Sequence, residues 1–224
     1  MNKKTLNIYE VIKKEIITLK KEPQTMIREV DIARKYSISR TPVRDIFSKL
    51  EYDGLIDANR TKGTYVSKID VDEITDTMYV ITQVETNVLN EIIDSITPGD
   101  IVKYKMILFD QEELFNQDNL ERIEIVDAFY DLQKLFMYLL YKKGGKQEIY
   151  EKFYAQNACY RRFLYLIGYT YRDTIVEMVR YSNLLLDALS KRDRKKVAEI
   201  IGNQKYIGLD KVRLIKQTHP NYFI

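Results

Sequence analysis

The sequence predicts a mainly α-helical chain with two domains: an N-terminal domain that ends in a β-hairpin and a C-terminal all-α antiparallel helical bundle. Apolar residues recur at helical spacing over most of the 224 residues. Residues 55–68 instead read as two short extended stretches around a polar turn. Residues 1–68 carry a net charge of +6 and the remainder a net charge of −3. A basic part joined to a slightly acidic one is typical of a polyanion-binding module attached to a second domain.

The N-terminal elements follow from apolar spacing and from turn residues. Ile8, Ile12 and Ile16 recur at helical spacing in the first segment, which Pro23 ends. Gly54 follows the third helical segment as a C-cap. We expect helices over residues 5–20, 28–35 and 39–52 and strands over residues 55–59 and 64–68. This order is that of a winged helix-turn-helix domain, which we assign to residues 1–68.

The rest of the chain carries helical periodicity and no convincing strand pattern. Breaks such as Thr97-Pro98-Gly99 and Lys143-Gly144-Gly145 divide it into segments. We expect six helices, over residues 72–95, 98–116, 119–142, 146–167, 171–191 and 193–217. Helices joined by short breaks pack as antiparallel neighbours. The prediction is a short linker over residues 69–72, followed by an all-helical second domain over residues 73–224.

The third helix has the features of a DNA-reading helix. Ser39 can cap its N-terminus, and Pro42 falls in the first turn, where its missing N–H breaks no hydrogen bond. Arg40 and Arg44 are four residues apart and share one face. The opposite face is apolar, with Val43, Phe47 and Leu50, and we expect Phe47, Tyr52 and Ile56 to lie in the core. A short helix with an apolar back and a basic front suits the major groove of DNA.

A plainer interpretation of these arginines stays open. Arginines at helical spacing often form a solvated face, and Arg44 could pair with a nearby carboxylate such as Asp31. The cap, the proline and the hairpin at matching positions favour DNA binding over this alternative.

Composition excludes several classes of protein. No apolar run approaches membrane-spanning length, and the single cysteine, Cys159, excludes an intramolecular disulfide. The sequence contains no phosphate-binding glycine loop, no nucleophile elbow and no matched Cys–His pair. We therefore expect a cytoplasmic protein that is not an enzyme and needs no cofactor.

The first 68 residues resemble the N-terminal domain of the GntR family of bacterial transcription regulators. The resemblance rests on Ile38–Asp45, Leu50, Asp53–Ile56, Gly63 and Val66, which keep the family's spacing. The helical second domain resembles the FadR-like subgroup, whose FCD-type effector domain is an antiparallel helical bundle. Asp187-Ala188-Leu189 with Asp193 resembles the late-helix pattern of that subgroup.

This resemblance implies a set of DNA contacts. Arg40 and Arg44 match positions that read bases, and Ser39 and Thr41 match positions that contact phosphate. Lys62 and Gly63 would lie at the tip of the wing, where the family reaches into the minor groove. Arg28 would add a phosphate contact. The full predicted set is Arg28, Ser39, Arg40, Thr41, Pro42, Arg44, Lys62 and Gly63.

The second domain departs from the resemblance at the buried metal site of many FadR-like effector domains, which is made of one aspartate and three histidines. Val126 stands at the aspartate position and Tyr130 at that of the first histidine, while Ser182 and Gln204 match the later ones. His219 is the only histidine, so we predict no metal of the usual kind. We expect neutral side chains to line an effector pocket, with Arg162 turned inward to hold a carboxylate. The predicted effector-binding residues are Tyr130, Arg162, Ser182 and Gln204; the alternative is that Arg161 and Arg162 both lie on the surface.

Together these features predict a sequence-specific repressor. It would act as a homodimer on a near-palindromic double-stranded operator, and its helical domain would dimerise and bind a small organic-acid-like effector. The alternative keeps the DNA-binding domain but makes the bundle a dimerisation or protein-interaction module without an effector.

Overall fold

The structure is a computed structural model that describes residues 1–59, 61, 63–116, 121–154 and 157–224, with the backbone alone for residues 153–154. The N-terminal elements are α1 (Lys3–Ile17), α2 (Glu29–Tyr36), α3 (Arg40–Tyr52), β1 (Ile56–Asn59) and β2 (Gly63–Val66). The predicted winged helix-turn-helix is confirmed, and its element bounds lie within about three residues of the predicted ones.

Local sequence accounts for the ends of these helices. The Asn2 side chain accepts a hydrogen bond from the Thr5 N–H at 2.9 Å and caps α1. Ser37 has φ 50° and ψ 55°, so it makes the left-handed turn between α2 and α3. Gly54 has φ +67° just after α3, as its predicted C-cap role requires. The core behind these ends contains Ile8, Ile12 and Ile16 of α1 and Val43, Ile46 and Leu50 of α3.

The wing is a two-stranded antiparallel sheet in which Ile56 pairs with Val66 and Asn59 with Gly63. A further segment lies along β2, where the Ile27 N–H donates to the Thr64 oxygen at 2.9 Å. This segment is hard to predict from sequence. It pairs with β2 through the isolated bridge between Met26 and Tyr65, and so short a pairing does not require the alternation of apolar and polar residues that marks a strand.

The rest of the chain is helical in its described residues, apart from the single residue pairing of Ile69 with Phe223. Its α-helices are α4 (Val71–Ile92), α5 (Pro98–Glu113), α6 (Arg122–Lys143), α7 (Gln147–Tyr154), α8 (Ala158–Thr170), α9 (Arg172–Ser190), α10 (Arg194–Lys205) and α11 (Val212–Thr218). No helix within the described ranges has the length and apolar character that crossing a membrane demands.

Two of the six helices predicted for this region are each split in two. The predicted helix over residues 146–167 is α7 and α8, and that over residues 193–217 is α10 and α11. Gly208 explains the second break, because its φ of +90° is incompatible with a right-handed helix. A Cβ at Gly208 would also lie 2.5 Å from Cδ1 of Ile167. The prediction of single helices was therefore wrong at these two places.

The chain divides into two compact units that differ from the predicted domains. The first unit contains Met1–Ile74, Gln156–Leu166 and Arg213–Ile224, and the second contains Thr75–Ala155 and Ile167–Val212. The predicted cut at residues 69–72 missed two later segments that belong with the winged helix. Within the first unit, the Ile69 N–H donates to the Tyr222 oxygen at 2.7 Å, which joins the segment after the wing to the C-terminal residues. The second unit has its own core, which includes Leu89, Phe136, Leu140, Leu185 and Ile201.

Candidate nucleic-acid interface

Helix α3 has one face buried in the core and another face exposed to solvent. Val43, Ile46 and Leu50 have no exposed surface, and burial of three such side chains stabilises the helix position by several kcal/mol, at about 1.5–3 kcal/mol each. Arg40 and Arg44 lie on the exposed side. The helix is therefore held in place while two exposed arginines project near its N-terminus, which is the arrangement that a major-groove reader requires.

The start of α3 differs from the prediction in one contact. Ser39 has the extended backbone of an N-cap residue, with φ −70° and ψ 167°, but its side chain makes no cap hydrogen bond. Ser39 and the neighbouring Thr41 are both exposed. Pro42 occupies the first turn, as predicted, and is half-buried. The hydroxyls are thus placed beside a helix N-terminus, where phosphate oxygens bind well.

Arg44 has an ion-pair partner on α2. Its Nε lies 3.5 Å from Oε2 of Glu29, and the two side chains are 68% and 36% exposed. The partner is therefore Glu29 and not Asp31, the carboxylate suggested by sequence. Exposed pairs of this kind contribute about 0–1 kcal/mol, too little to keep Arg44 from a DNA base.

The wing tip is a polar turn next to a glycine in a left-handed conformation. The Thr61 N–H and hydroxyl both donate to Oδ1 of Asn59, at 2.9 and 2.8 Å. Gly63 has φ +104°, which side-chain-bearing residues rarely adopt. Lys62, the other residue predicted at the tip, lies outside the described residues, so its predicted DNA contact stays a prediction.

Arg28 lies close to the wing. It is exposed at the N-terminus of α2, and its Nε lies 3.3 Å from Sδ of Met26. Met26 in turn pairs with Tyr65 of β2, and its methyl carbon is the atom nearest to the place where a Cβ on Gly63 would lie, at 3.6 Å. Arg28 and the wing therefore form one exposed neighbourhood, separate in sequence from Arg40 and Arg44 but within the same unit.

Arg162 has a structural partner in place of the predicted effector carboxylate. It is only 1% exposed, and its Nη1 and Nη2 donate to the backbone oxygens of Ser67 and Lys68 at 2.6 and 3.1 Å. The guanidinium is turned inward, as predicted, but it faces the segment that leaves the wing. The pocket role predicted for Arg162 is thus not supported by its contacts.

Cys159 reinforces this attachment one helical turn earlier. The Asp70 N–H donates to its sulfur at 3.2 Å, and its S–H donates to the Asp70 oxygen at 3.3 Å. Burial raises the pKa of the thiol to about 12. Cys159 is therefore a buried residue of low reactivity.

The other predicted effector-binding residues lie in the second unit. Ser182 of α9 is fully buried, and Nε2 of Gln204 on α10 donates to its hydroxyl at 3.1 Å and to the Met178 oxygen at 3.4 Å. Tyr130 is half-buried, with its ring edge against Gly168. Ser182 and Gln204 are thus brought together. In the part of the chain that the structure describes, no group of three or more His, Cys, Asp or Glu residues could hold a metal ion.

Sequence reasoning missed two buried polar pairs in the second unit. Glu85 of α4 has no exposed surface, and its Oε2 lies 3.0 Å from Nζ of Lys205. Gln111 of α5 is equally buried, and its Nε2 donates to Oε1 of Gln133 at 3.0 Å. The sequence does contain a sign that Glu85 is buried, because Glu85 stands four residues after Ile81 on the apolar face of its helix.

Comparisons with known proteins agree with this geometry. Residues 4–66 match the profile of bacterial regulatory proteins of the gntR family. The HTH-type transcriptional repressor RspR of Escherichia coli K12 is 24% identical over 216 residues, which cover 96% of this chain and 92% of RspR. Two solved structures share the fold with a TM-score of 0.72 each: McbR/YncC of E. coli, at 15% identity over 98% of this chain and all of the other, and a GntR regulator of Rhodococcus sp. RHA1, at 17% identity over 96% and 98%.

The winged helix, the exposed arginines and these relatives define a DNA-binding transcription regulator rather than an enzyme. Residues 4–66 belong to the GntR family of such regulators, and RspR matches nearly the whole chain.

Proposed function

We propose that the protein is a repressor that binds a near-palindromic operator as a homodimer, with α3 in the major groove and the wing at the minor groove. The observation that carries this proposal is the exposed pair Arg40 and Arg44 on a helix whose back is fully buried. An arginine forked onto guanine is the commonest specific contact in the major groove. A regulator of this kind acts in the cytoplasm, where bacterial DNA lies.

The short stretch of DNA that one recognition helix can contact supports a homodimer. A single recognition helix covers only a few base pairs, whereas two helices related by a two-fold axis read half-sites about 34–36 Å apart. The name of the relative RspR, a transcriptional repressor, supports repression as the direction of control.

We further propose that the helical C-terminal part binds a small organic-acid-like effector through neutral side chains and without a metal. Ser182, Gln204 and Tyr130 supply hydroxyl and amide groups that can bond a carboxylate or hydroxyl ligand. Binding would act on DNA affinity by favouring one arrangement of the two DNA-binding domains over another.

A second candidate function has its own supporting observation. Gln204 and Ser182 already bond each other, so these polar groups have partners without a ligand. The bundle would then be a dimerisation or protein-interaction module without an effector. A thermal-shift screen of organic and sugar acids separates the two, since a ligand that binds the folded state raises Tm and a purely structural bundle responds to none.

Footprinting on the DNA upstream of the protein's own gene tests DNA binding. The proposal predicts a protected, near-palindromic site that Arg40→Ala and Arg44→Ala abolish or weaken. Wild-type protection by either variant at the same salt concentration would contradict the assignment of α3 as the reading helix.

A further inference from the structure

Helix α5 is apolar on two opposite faces. Its inner face contains Tyr104, Ile107, Leu108 and Gln111, all buried in the second unit. Its outer face carries Val102, Met106 and Phe109, which are 60%, 64% and 60% exposed. An amphipathic surface helix normally places polar residues on its outer face, so these three exposed side chains form an apolar stripe that the core does not explain.

The spacing of the stripe is that of a two-helix seam. Val102, Met106 and Phe109 are separated by four and three residues, the alternation that brings side chains onto one line of a helix that packs against a partner helix. The stripe spans about 10 Å along the helix axis, at 1.5 Å per residue. Another helix with an apolar stripe of this spacing and length could therefore pack against it.

The charges beside the stripe identify that partner. Lys103 and Lys105 flank it in the N-terminal half of α5, and Asp110 and Glu112 flank it in the C-terminal half. If a second α5 packs antiparallel about a two-fold axis near Met106, each flank faces the same flank of the other copy. Lys103 then lies level with Asp110 of the second copy, and Lys105 lies on the same flank as its Glu112, about 7.5 Å away along the helix axis. A parallel arrangement would oppose only Lys105 and Asp110, so the antiparallel one uses all four charges.

These charges are available for such contacts. Lys103, Lys105 and Asp110 form no ion pair within the described residues, and all three are exposed. Glu112 accepts one hydrogen bond, from Nδ2 of Asn183 at 2.9 Å, and remains exposed. Opposite charge at opposite ends of one face makes the surface complementary to itself, which is what an interface with two-fold symmetry requires.

A recess lies beside the C-terminal end of α5. Glu112 and Phe115 line a recess of about 320 Å³ with Val176, Val179, Arg180 and Asn183 of α9. Stable dimers bury about 800 Å² on each partner, more than three side chains expose. The recess therefore extends the apolar surface that a partner can cover.

We propose that the outer face of α5, centred on Met106, is the surface where a second copy of this chain binds, as an antiparallel helix pair. This inference rests on the proposed homodimer and names its interface. It places the two-fold axis of the dimer beside Met106 and assigns Lys103 and Asp110 to the pairs that fix the orientation.

Sedimentation of the full chain over a range of concentrations tests the interface. Met106→Glu places four new carboxylate oxygens around the axis of the dimer, so we expect the dimer dissociation constant to rise by about tenfold or more. Because Met106 is exposed in the monomer, the fold is retained, and unchanged circular dichroism verifies this. Leu135→Glu is the matched control: Leu135 of α6 is 44% exposed, and its replacement leaves the dissociation constant unchanged.

Charge reversal tests the orientation independently. Lys103→Glu or Asp110→Lys alone sets like charges against each other and weakens the dimer, whereas the two together restore opposite pairing and most of the affinity. A Met106→Cys variant, which lies on the axis, forms a disulfide-linked dimer under oxidation, and Leu135→Cys does not.

The possible failures are distinguishable. A dimer that survives Met106→Glu with an unchanged dissociation constant overturns the α5 interface and leaves the proposed homodimer standing on another surface. A wild-type chain that sediments as a monomer, alone and on a full operator, overturns the homodimer itself. The α5 interface between two copies is then also wrong, and the apolar face would instead bind a different protein.

Discussion

The Nη1 group of Arg162 donates a hydrogen bond to the backbone oxygen of Ser67 at 2.6 Å, across 95 positions of sequence. Ser67 is the first residue after β2, so this bond fastens the exit of the wing to α8. Nη2 extends the attachment to the Lys68 oxygen, and Cys159 extends it to Asp70. The winged helix is thereby joined to a helix that sequence places in the second domain.

Replacing Arg162 should destabilise the protein markedly. Arg162→Met leaves the Ser67 and Lys68 oxygens without their charged donor in a buried place, at an expected cost of about 3 kcal/mol. Arg162→Lys keeps the charge but not the two-pronged geometry, so its cost should be intermediate. Urea denaturation of the full chain measures both values, and equal stability of Arg162→Met and wild type would refute the anchoring role.

Asp100 should give the second unit an acid-sensitive component of stability. Its Oδ2 lies 2.8 Å from Nζ of Lys143 and accepts hydrogen bonds from Thr97. The ammonium group, followed by these hydrogen bonds, lowers the pKa of the Asp100 carboxyl from 3.8 to about 2. Because the folded-state pKa is below the unfolded one, the contribution is complete above pH of about 4 and is lost as pH falls towards 2.

Asp100→Asn tests this component. The variant should lose about 1 kcal/mol at pH 7, a typical cost for a helix cap, and its free energy of unfolding should fall less steeply between pH 4 and pH 3 than that of the wild type. Asp76→Asn, at an exposed position of α4, is the control. An identical pH profile for Asp100→Asn and wild type would contradict the role of the Lys143 contact.

Two glycines should differ in their response to alanine. Gly54 and Gly208 both have positive φ, at +67° and +90°, but an added Cβ meets nothing within 4 Å at Gly54 and lies 2.5 Å from Ile167 at Gly208. Gly54→Ala should cost about 1 kcal/mol from backbone strain alone. Gly208→Ala should cost about 2–3 kcal/mol because steric overlap is added. Thermal or chemical unfolding compares them, and equal costs would mean that Ile167 moves aside freely.

Local sequence predicted the winged helix well because its boundaries are set by local chemistry. Pro42 in a first turn and Gly54 after a helix end leave few alternatives for the backbone. Ile56 and Phe47 were predicted as core and are buried, but Tyr52, predicted as core, is 89% exposed. Tyr52 is the last residue of α3 and stands two positions, about 200° around the helix, after the buried Leu50. Its ring therefore projects from the side opposite the core.

The contacts that local sequence could not predict join distant positions. The Arg162 attachment spans 95 residues. Lys205 of α10 contacts Glu85 of α4, which lies far earlier in the sequence. Helical periodicity indicates that such residues lie on an inner face, but it does not indicate which partner they meet there. For the same reason, sequence could group Ser182 and Gln204 with Arg162, although Arg162 belongs to the first unit.

The most direct test of the DNA-reading role of α3 compares specific and non-specific DNA affinity at fixed salt. Arg40→Ala should weaken binding to the operator about tenfold or more, as loss of a bidentate base contact does, and should reduce the preference for operator over random duplex. Arg213→Ala removes the same charge from an exposed position of α11. It should change neither the operator affinity nor the preference for operator over random duplex by more than about twofold. If Arg40→Ala keeps the wild-type preference for its operator, α3 does not read the DNA sequence through this residue.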